Sequence, residues 1–140
     1  MRILILGSMK FVNDMGKVRK ELGKLGHKVI LPVGIKPHLK NSDFVENLDG
    51  NMAYCIKNDV MRRNFRLVAK SDAILVLNYK RNNMDGYIGI SVLLEMGIAH
   101  YLKKKIFLMQ KTPDYNKVRW AHEVAIMEPK VLDGDLAKIQ

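Results

Sequence analysis

Residues 71–77 read Ser-Asp-Ala-Ile-Leu-Val-Leu, and the apolar run from Ala73 to Leu77 has no polar interruption. A strand with one wet face alternates apolar and polar residues, whereas an unbroken aliphatic run fits a strand covered by helices on both faces, as in parallel α/β sheets. The segment therefore predicts a central strand. Arg2 to Leu6 (RILIL) has the same character and ends at Gly7-Ser8, after which Val12, Met15, Val18, Leu22 and Leu25 recur at helical spacing up to Gly26. Strand, turn and helix thus follow one another from the N-terminus.

Outward from these two runs, His27 to Pro32 reads as a second strand, Ile106 to Met109 as a fourth and Lys130 to Leu132 as a short fifth. Helical spacing predicts one long helix over Met52 to Lys70, with Arg62, Arg63 and Arg66 on its outer face, and further helices over Ile90 to Leu102 and Asn116 to Met127. Val33 to Gly50 is polar and irregular, with prolines at 32 and 37, and is expected to be a long loop holding at most one short helix. Gly134-Asp135 should turn into a terminal helical stub. The pattern is that of an α/β protein, a single-domain doubly wound (Rossmann-like or flavodoxin-like) parallel sheet of about five strands over residues 1–140. Ligands of such sheets sit beyond the carboxyl ends of the strands, so the segments after Leu6, Leu31, Leu77 and Met109 are expected to line a site.

Composition narrows the function classes. The chain has 140 residues, 48% of them apolar, and one cysteine, Cys55, which allows neither an intrachain disulfide nor a thiolate-rich zinc site and favours a reducing, cytoplasmic setting. No apolar run approaches the roughly 20 residues that cross a bilayer, and the N-terminus lacks the pattern of a signal peptide, so no membrane partner is expected. The net charge of +10 is concentrated in residues 1–70, with 14 basic and 6 acidic residues against 10 and 8 in residues 71–140. Such a field attracts anions but also serves simple solubility. With 7% aromatics, little interleaved with Lys and Arg, no base-stacking platform is expected and nucleic acid is not the expected partner.

Two features carry potential chemistry. Gly7-Ser8-Met9-Lys10 is a turn at a helix start with a hydroxyl and an ammonium, suited either to holding an anion or to capping the helix, and it matches neither nucleotide-binding glycine fingerprint. Glu95 stands alone in Val92-Leu93-Leu94-Glu95-Met96-Gly97-Ile98-Ala99. It is either a desolvated carboxylate in a cleft or a solvent-facing first-turn residue favoured by the helix dipole. Gly97 suits close approach of another backbone. Asp59, read from its surroundings alone, fits a solvated helix charge, and Asp72 fits a tie to loop backbone. His27, His38, His100 and His122 have no metal-binding spacing, so no metal is expected.

At these residues the chain resembles the nucleoside 2-deoxyribosyltransferase and 2-deoxynucleoside 5-phosphate N-hydrolase superfamily over nearly its whole length. The resemblance rests on Ile3-Leu4-Ile5-Leu6-Gly7-Ser8-Met9-Lys10, Lys57-Asn58-Asp59, Ser71 to Asn78, and above all Glu95-Met96-Gly97-Ile98-Ala99, which is similar to the family's Glu-x-Gly-x-Ala element. It implies Glu95 as the nucleophile at the anomeric carbon of a deoxyribosyl N-glycoside and Asp59 as the supporting carboxylate. It further implies a small-molecule nucleoside or nucleotide substrate, no metal or other cofactor, and a homodimer or larger assembly with apolar helices buried between subunits. Substrate contacts are expected from Gly7, Ser8, Met9, Lys10, Asn78, Tyr79, Gly89 and Ser91. The chain departs from the phosphohydrolase branch at Leu4, where that branch commonly has tyrosine, and at Lys10, where it has arginine. Gly89 stands where transferases tend to have Asp and phosphohydrolases Ser, with Ser91 the nearest hydroxyl. The alternative expectation is a nucleotide-binding sensor or interaction module that keeps the fold without turnover.

Overall fold

β1 (Arg2–Gly7) and β3 (Ala73–Leu77) lie side by side at the centre of a sheet completed by β2 (Lys28–Ile30), β4 (Lys105–Leu108) and β5 (Lys130–Val131) in this computed structural model, which describes residues 1–140. The strand order is β2-β1-β3-β4-β5 and every pairing is parallel, the doubly wound flavodoxin-like order. Register pairs Ile3 with Ala73 through Gly7 with Leu77.

The unbroken apolar runs are explained by two cores. Ile3, Ile5, Ala73, Leu75 and Leu77 point to the face covered by α1 (Val12–Lys24), where Met15, Val18 and Leu22 pack. Leu4, Leu6, Ile74 and Val76 point to the other face, beneath Val68 of α4 (Val60–Lys70), Val92, Met96 and Ala99 of α5 (Ile90–Tyr101), and Val124 of α6 (Arg119–Ile126). Ile3 to Leu6 and Ala73 to Leu77 are buried on both faces, so alternation has no role there. Asp72 ties the sheet at its start, its carboxylate accepting the Arg2 backbone N–H at 2.6 Å, which holds the carboxyl below its usual range. No helix is long and apolar enough to cross a membrane.

Three expectations need correction. The single helix over Met52 to Lys70 is two, α3 (Leu48–Lys57) and α4, because Asn58 folds its side-chain amide onto the Tyr54 carbonyl at 2.9 Å and Asp59 adopts a left-handed backbone with φ 48°. Asn and Asp tolerate that conformation better than other non-glycine residues. Val33 to Gly50 is largely ordered, with α2 (Lys36–Lys40), a 3-10 turn over Ser42–Glu46 and the first turn of α3. The Asn41 side chain accepts from Asp43 N–H and that of Asn47 from Gly50 N–H, so side-chain caps define these short elements. The last helix, α6, starts at Arg119, because Asp114 folds residues 114–118 into a turn, its carboxylate accepting the Asn116 N–H at 2.9 Å.

Candidate active site

Where β1 and β3 end, on the face of α4 and α5, the chain encloses a cavity of about 330 Å³, at the lower end of the ~300–1,000 Å³ typical of small-molecule sites. Gly7, Ser8 and Met9 reach it after β1, Pro32 to Gly34 after β2, and Arg81, Tyr87 and Gly89 after β3. Segment 109–110 after β4 lies instead on a smaller cleft of about 190 Å³ against α1, with Tyr79 and Asp14, which corrects the expectation that all four strand ends share one site.

Glu95 enters the cavity from the second turn of α5, on the inward stripe with Val92, Met96 and Ala99, and is 6% exposed. The solvent-facing alternative is thereby excluded. Burial pushes its carboxyl up to about 8, with no cation or hydrogen-bond donor of the chain offsetting the desolvation. A carboxyl of this kind exchanges its proton near neutrality, and once ionised it is a poorly solvated base or nucleophile. Ser91 and Gly89, at the start of the same helix, line the cavity beside it.

Across the cavity, Gly7 permits the close approach of β1 to β3, since a Cβ there would sit 3.1 Å from the Leu77 carbonyl oxygen. Ser8 follows, its Oγ accepting the Lys10 N–H and a hydrogen bond from Arg81 Nη1. Arg81 reaches this position because residues 81–84 form a tight reversal. Arg81 and Met84 exchange backbone hydrogen bonds of 3.1 and 2.9 Å, and Asn82 and Asn83 both take positive φ, 52° and 58°. Gly86, at φ 72°, completes the loop where any Cβ would strike the Lys111 carbonyl. The Arg81 side chain is 16% exposed, pairs through Nη2 with Glu46 Oε1 at 3.0 Å and lies 5.4 Å from the Tyr87 ring centroid.

Six of the residues expected at the site thus meet in one cavity: Gly7, Ser8, Met9, Gly89, Ser91 and Glu95. Four do not line it. Lys10 turns to Asp43 at 3.6 Å. Asp59, at the head of α4, pairs with Arg62 at 3.1 Å in a half-exposed position. Asn78 is fully buried, donating to the Gln110 carbonyl at 2.7 Å and accepting from the Gln110 N–H at 2.8 Å, a clamp between the ends of β3 and β4. Tyr79 packs edge-on against Phe11 on the opposite cleft. Comparison with known proteins finds no family model that matches the chain and no curated protein that matches it.

Residues not anticipated from sequence complete the wall. Asn64 of α4 is 4% exposed, and its Oδ1 accepts the Val33 N–H at 2.8 Å. His38 of α2 is buried, edge-on to Phe44, with Nδ1 unpartnered, and burial lowers its pKa. No group of three or more His, Cys, Asp or Glu side chains is placed to hold a metal ion. Arg81 had no local signal. It lies in a polar loop whose reversal rests on the left-handed Asn82 and Asn83.

Proposed function

We propose that the cavity cleaves or transfers the N-glycosidic bond of a 2-deoxyribonucleoside or its 5-monophosphate, with Glu95 as nucleophile. The observation that carries this reading is an unpaired, buried carboxyl opening on a nucleoside-sized cavity, together with the resemblance of Glu95-Met96-Gly97-Ile98-Ala99 to the Glu-x-Gly-x-Ala element. In the first step a Glu95 oxygen bonds to the anomeric carbon, the carbon–nitrogen bond breaks, and its electron pair leaves with the base, which takes a proton from water. In the second, water or another base attacks the same carbon, the ester bond breaks, the proton of the attacking water or base passes to the hydroxide left by the first step, and the carboxylate is restored. The oxocarbenium-like state is cationic, so its approach favours the ionised form of Glu95 that burial disfavours. The reaction asks for no metal or redox cofactor.

Asp59 has no part in this reading. Its carboxylate pairs with Arg62 and is absent from the lining to which its neighbours Val60 and Met61 belong; this favours a second reading, a nucleotide-binding sensor without turnover, because no second carboxylate lines the cavity to assist the departing base. The readings separate on a panel of deoxynucleosides and their monophosphates, with released base measured by chromatography. Release by the parent protein and none by Glu95→Gln supports the enzyme; binding without release from any member supports the sensor.

We also propose that the protein acts in the cytoplasm as a homodimer or larger assembly. Ile90, Leu94 and Tyr101 form an exposed stripe along α5, and Gly97, between them, has open space where a Cβ would lie. That stripe lacks the close backbone approach expected at Gly97, which a second copy supplies. A monomer at micromolar concentration in solution scattering overturns this.

A further inference from the structure

α4 turns Val60, Asn64 and Val68 inward, one residue per turn, so an amide holds the middle place of an otherwise aliphatic stripe. Asn64 is 4% exposed and lines the cavity together with Val60. Chemistry sets its orientation. The Val33 N–H can only donate, so the atom that receives it at 2.8 Å is Oδ1, and the amide cannot be turned end for end. Nδ2 is left with two N–H donors and no acceptor within the chain. The one side-chain nitrogen sealed from solvent without a partner belongs to His38, so Asn64 Nδ2 opens on the cavity. A buried amide with unused donors is a poor choice for packing alone and a good one for a ligand that brings acceptors.

We propose that Asn64 reads the nucleobase, donating from Nδ2 to an exocyclic carbonyl oxygen, so that the site takes oxo bases and rejects their amino counterparts. A carbonyl oxygen offers two lone pairs to the donor end of the amide. An exocyclic amine in the same place sets N–H against N–H and leaves both without an acceptor. A pocket built around a hydrogen bond discriminates more strongly than one shaped by apolar contact, because the mismatched ligand leaves polar groups unpaired. Asn64 and Glu95 come from helices packed side by side, α4 and α5, and line the same cavity, so one nucleoside meets both. This deepens the reading above by naming the class of base, and rests on that reading for the choice of nucleosides as probes.

Two pairs of near-isosteric ligands isolate the contact. Deoxyinosine and deoxyadenosine differ by oxygen against amine at the purine 6-position, and deoxyuridine and deoxycytidine differ in the same way at the pyrimidine 4-position. Titrations of nitrogen-labelled protein, followed through the Asn64 Nδ2 resonances, give the affinity of each. In at least one pair the oxo member should bind about tenfold or more tightly than the amino member and shift those resonances. Asn64→Leu, which removes the donors at nearly constant volume, should bring that pair within about twofold. If Asn64→Leu loses its native spectrum, the deoxynucleoside with hydrogen at the same ring position carries the comparison in the parent, and it too should bind about tenfold more weakly than the oxo ligand. Both pairs within about twofold in the parent, a tighter amino ligand, or an unchanged preference in a folded Asn64→Leu overturns the proposal. Equal binding within the pairs alongside base release leaves the glycosidase reading standing without it. An oxo preference without base release ends the glycosidase reading and leaves Asn64 as the base reader of a sensor. No binding by any of the four overturns both.

Discussion

The two clefts at the carboxyl edge of the sheet face opposite ways and treat their polar groups differently. Against α1, the Gln110 backbone at the cleft is matched donor to acceptor by the buried Asn78 amide, and Asp14 lies near Lys17 at 3.9 Å in solvent. Against α4 and α5, Glu95 is buried without a partner, His38 has an orphaned nitrogen, and Arg81 rests on an exposed carboxylate. Both clefts follow from the topology, but only one leaves buried polar groups unsatisfied. Unsatisfied burial costs stability, and a ligand that pairs with these groups would offset that cost, which is the contrast the proposed function rests on.

The largest effect expected from this contrast is on turnover. Glu95→Ala should lower base release by ~10⁴-fold or more with the fold intact, as for loss of a nucleophile; a variant within tenfold of the parent breaks the contrast. The next is a pH effect on stability. The Glu95 carboxyl rises from 4.5 in the unfolded chain to about 8 in the folded one, so the native state holds the extra proton between those values. Its contribution is therefore fully present below about pH 4.5 and is lost as pH rises towards 8. The loss amounts to a few kcal/mol at most. Glu95→Gln should match the parent in urea unfolding at pH 4 and exceed it at pH 8, and parallel profiles for the two proteins would contradict the burial assigned to this carboxyl.

On the satisfied side the expected pattern reverses. Asn78→Ala orphans the Gln110 backbone groups and should cost ~2–3 kcal/mol of stability, measured by denaturant midpoint, while ligand affinity in the other cleft changes little; an equally large loss of affinity would merge the two clefts into one site. The smallest effects belong to Asp59 and Lys10. Asp59→Asn and Lys10→Ala should each change stability by less than ~1 kcal/mol and kcat/KM by less than about twofold, and a hundredfold loss in Asp59→Asn would restore the second carboxylate to the mechanism.

Sequence legibility followed the reach of each interaction. β1 and β3 were readable because burial on both faces writes itself into consecutive residues, and Glu95 because one charge among Val92, Leu93, Leu94 and Met96 contradicts its neighbours. Segment 33–57 was not, since α2 and the 3-10 turn are too short for a period and depend on Asn41 and Asn47 side chains. Asp59 was misplaced for a related reason. The irregular apolar spacing over 52–70 belongs to two helices in different registers, and the left-handed break at Asp59 turns its carboxylate to Arg62. Asn78 resembled a site residue by its place at a strand end, but its partner lies 32 residues away. Arg81 enters the cavity only after its loop has reversed, a placement no local pattern encodes.

The central claim is that the buried Glu95 carboxyl itself bonds to the sugar. Incubation with deoxynucleosides and monophosphates bearing a 2-fluoro substituent, which slows breakdown of a glycosyl ester by destabilising its cationic transition state, followed by intact-mass and peptide measurement, tests it directly. The account predicts one fluorosugar added per chain, carried by the peptide containing Glu95 and absent in Glu95→Gln. Base released with no adduct, or an adduct on another residue, would contradict it.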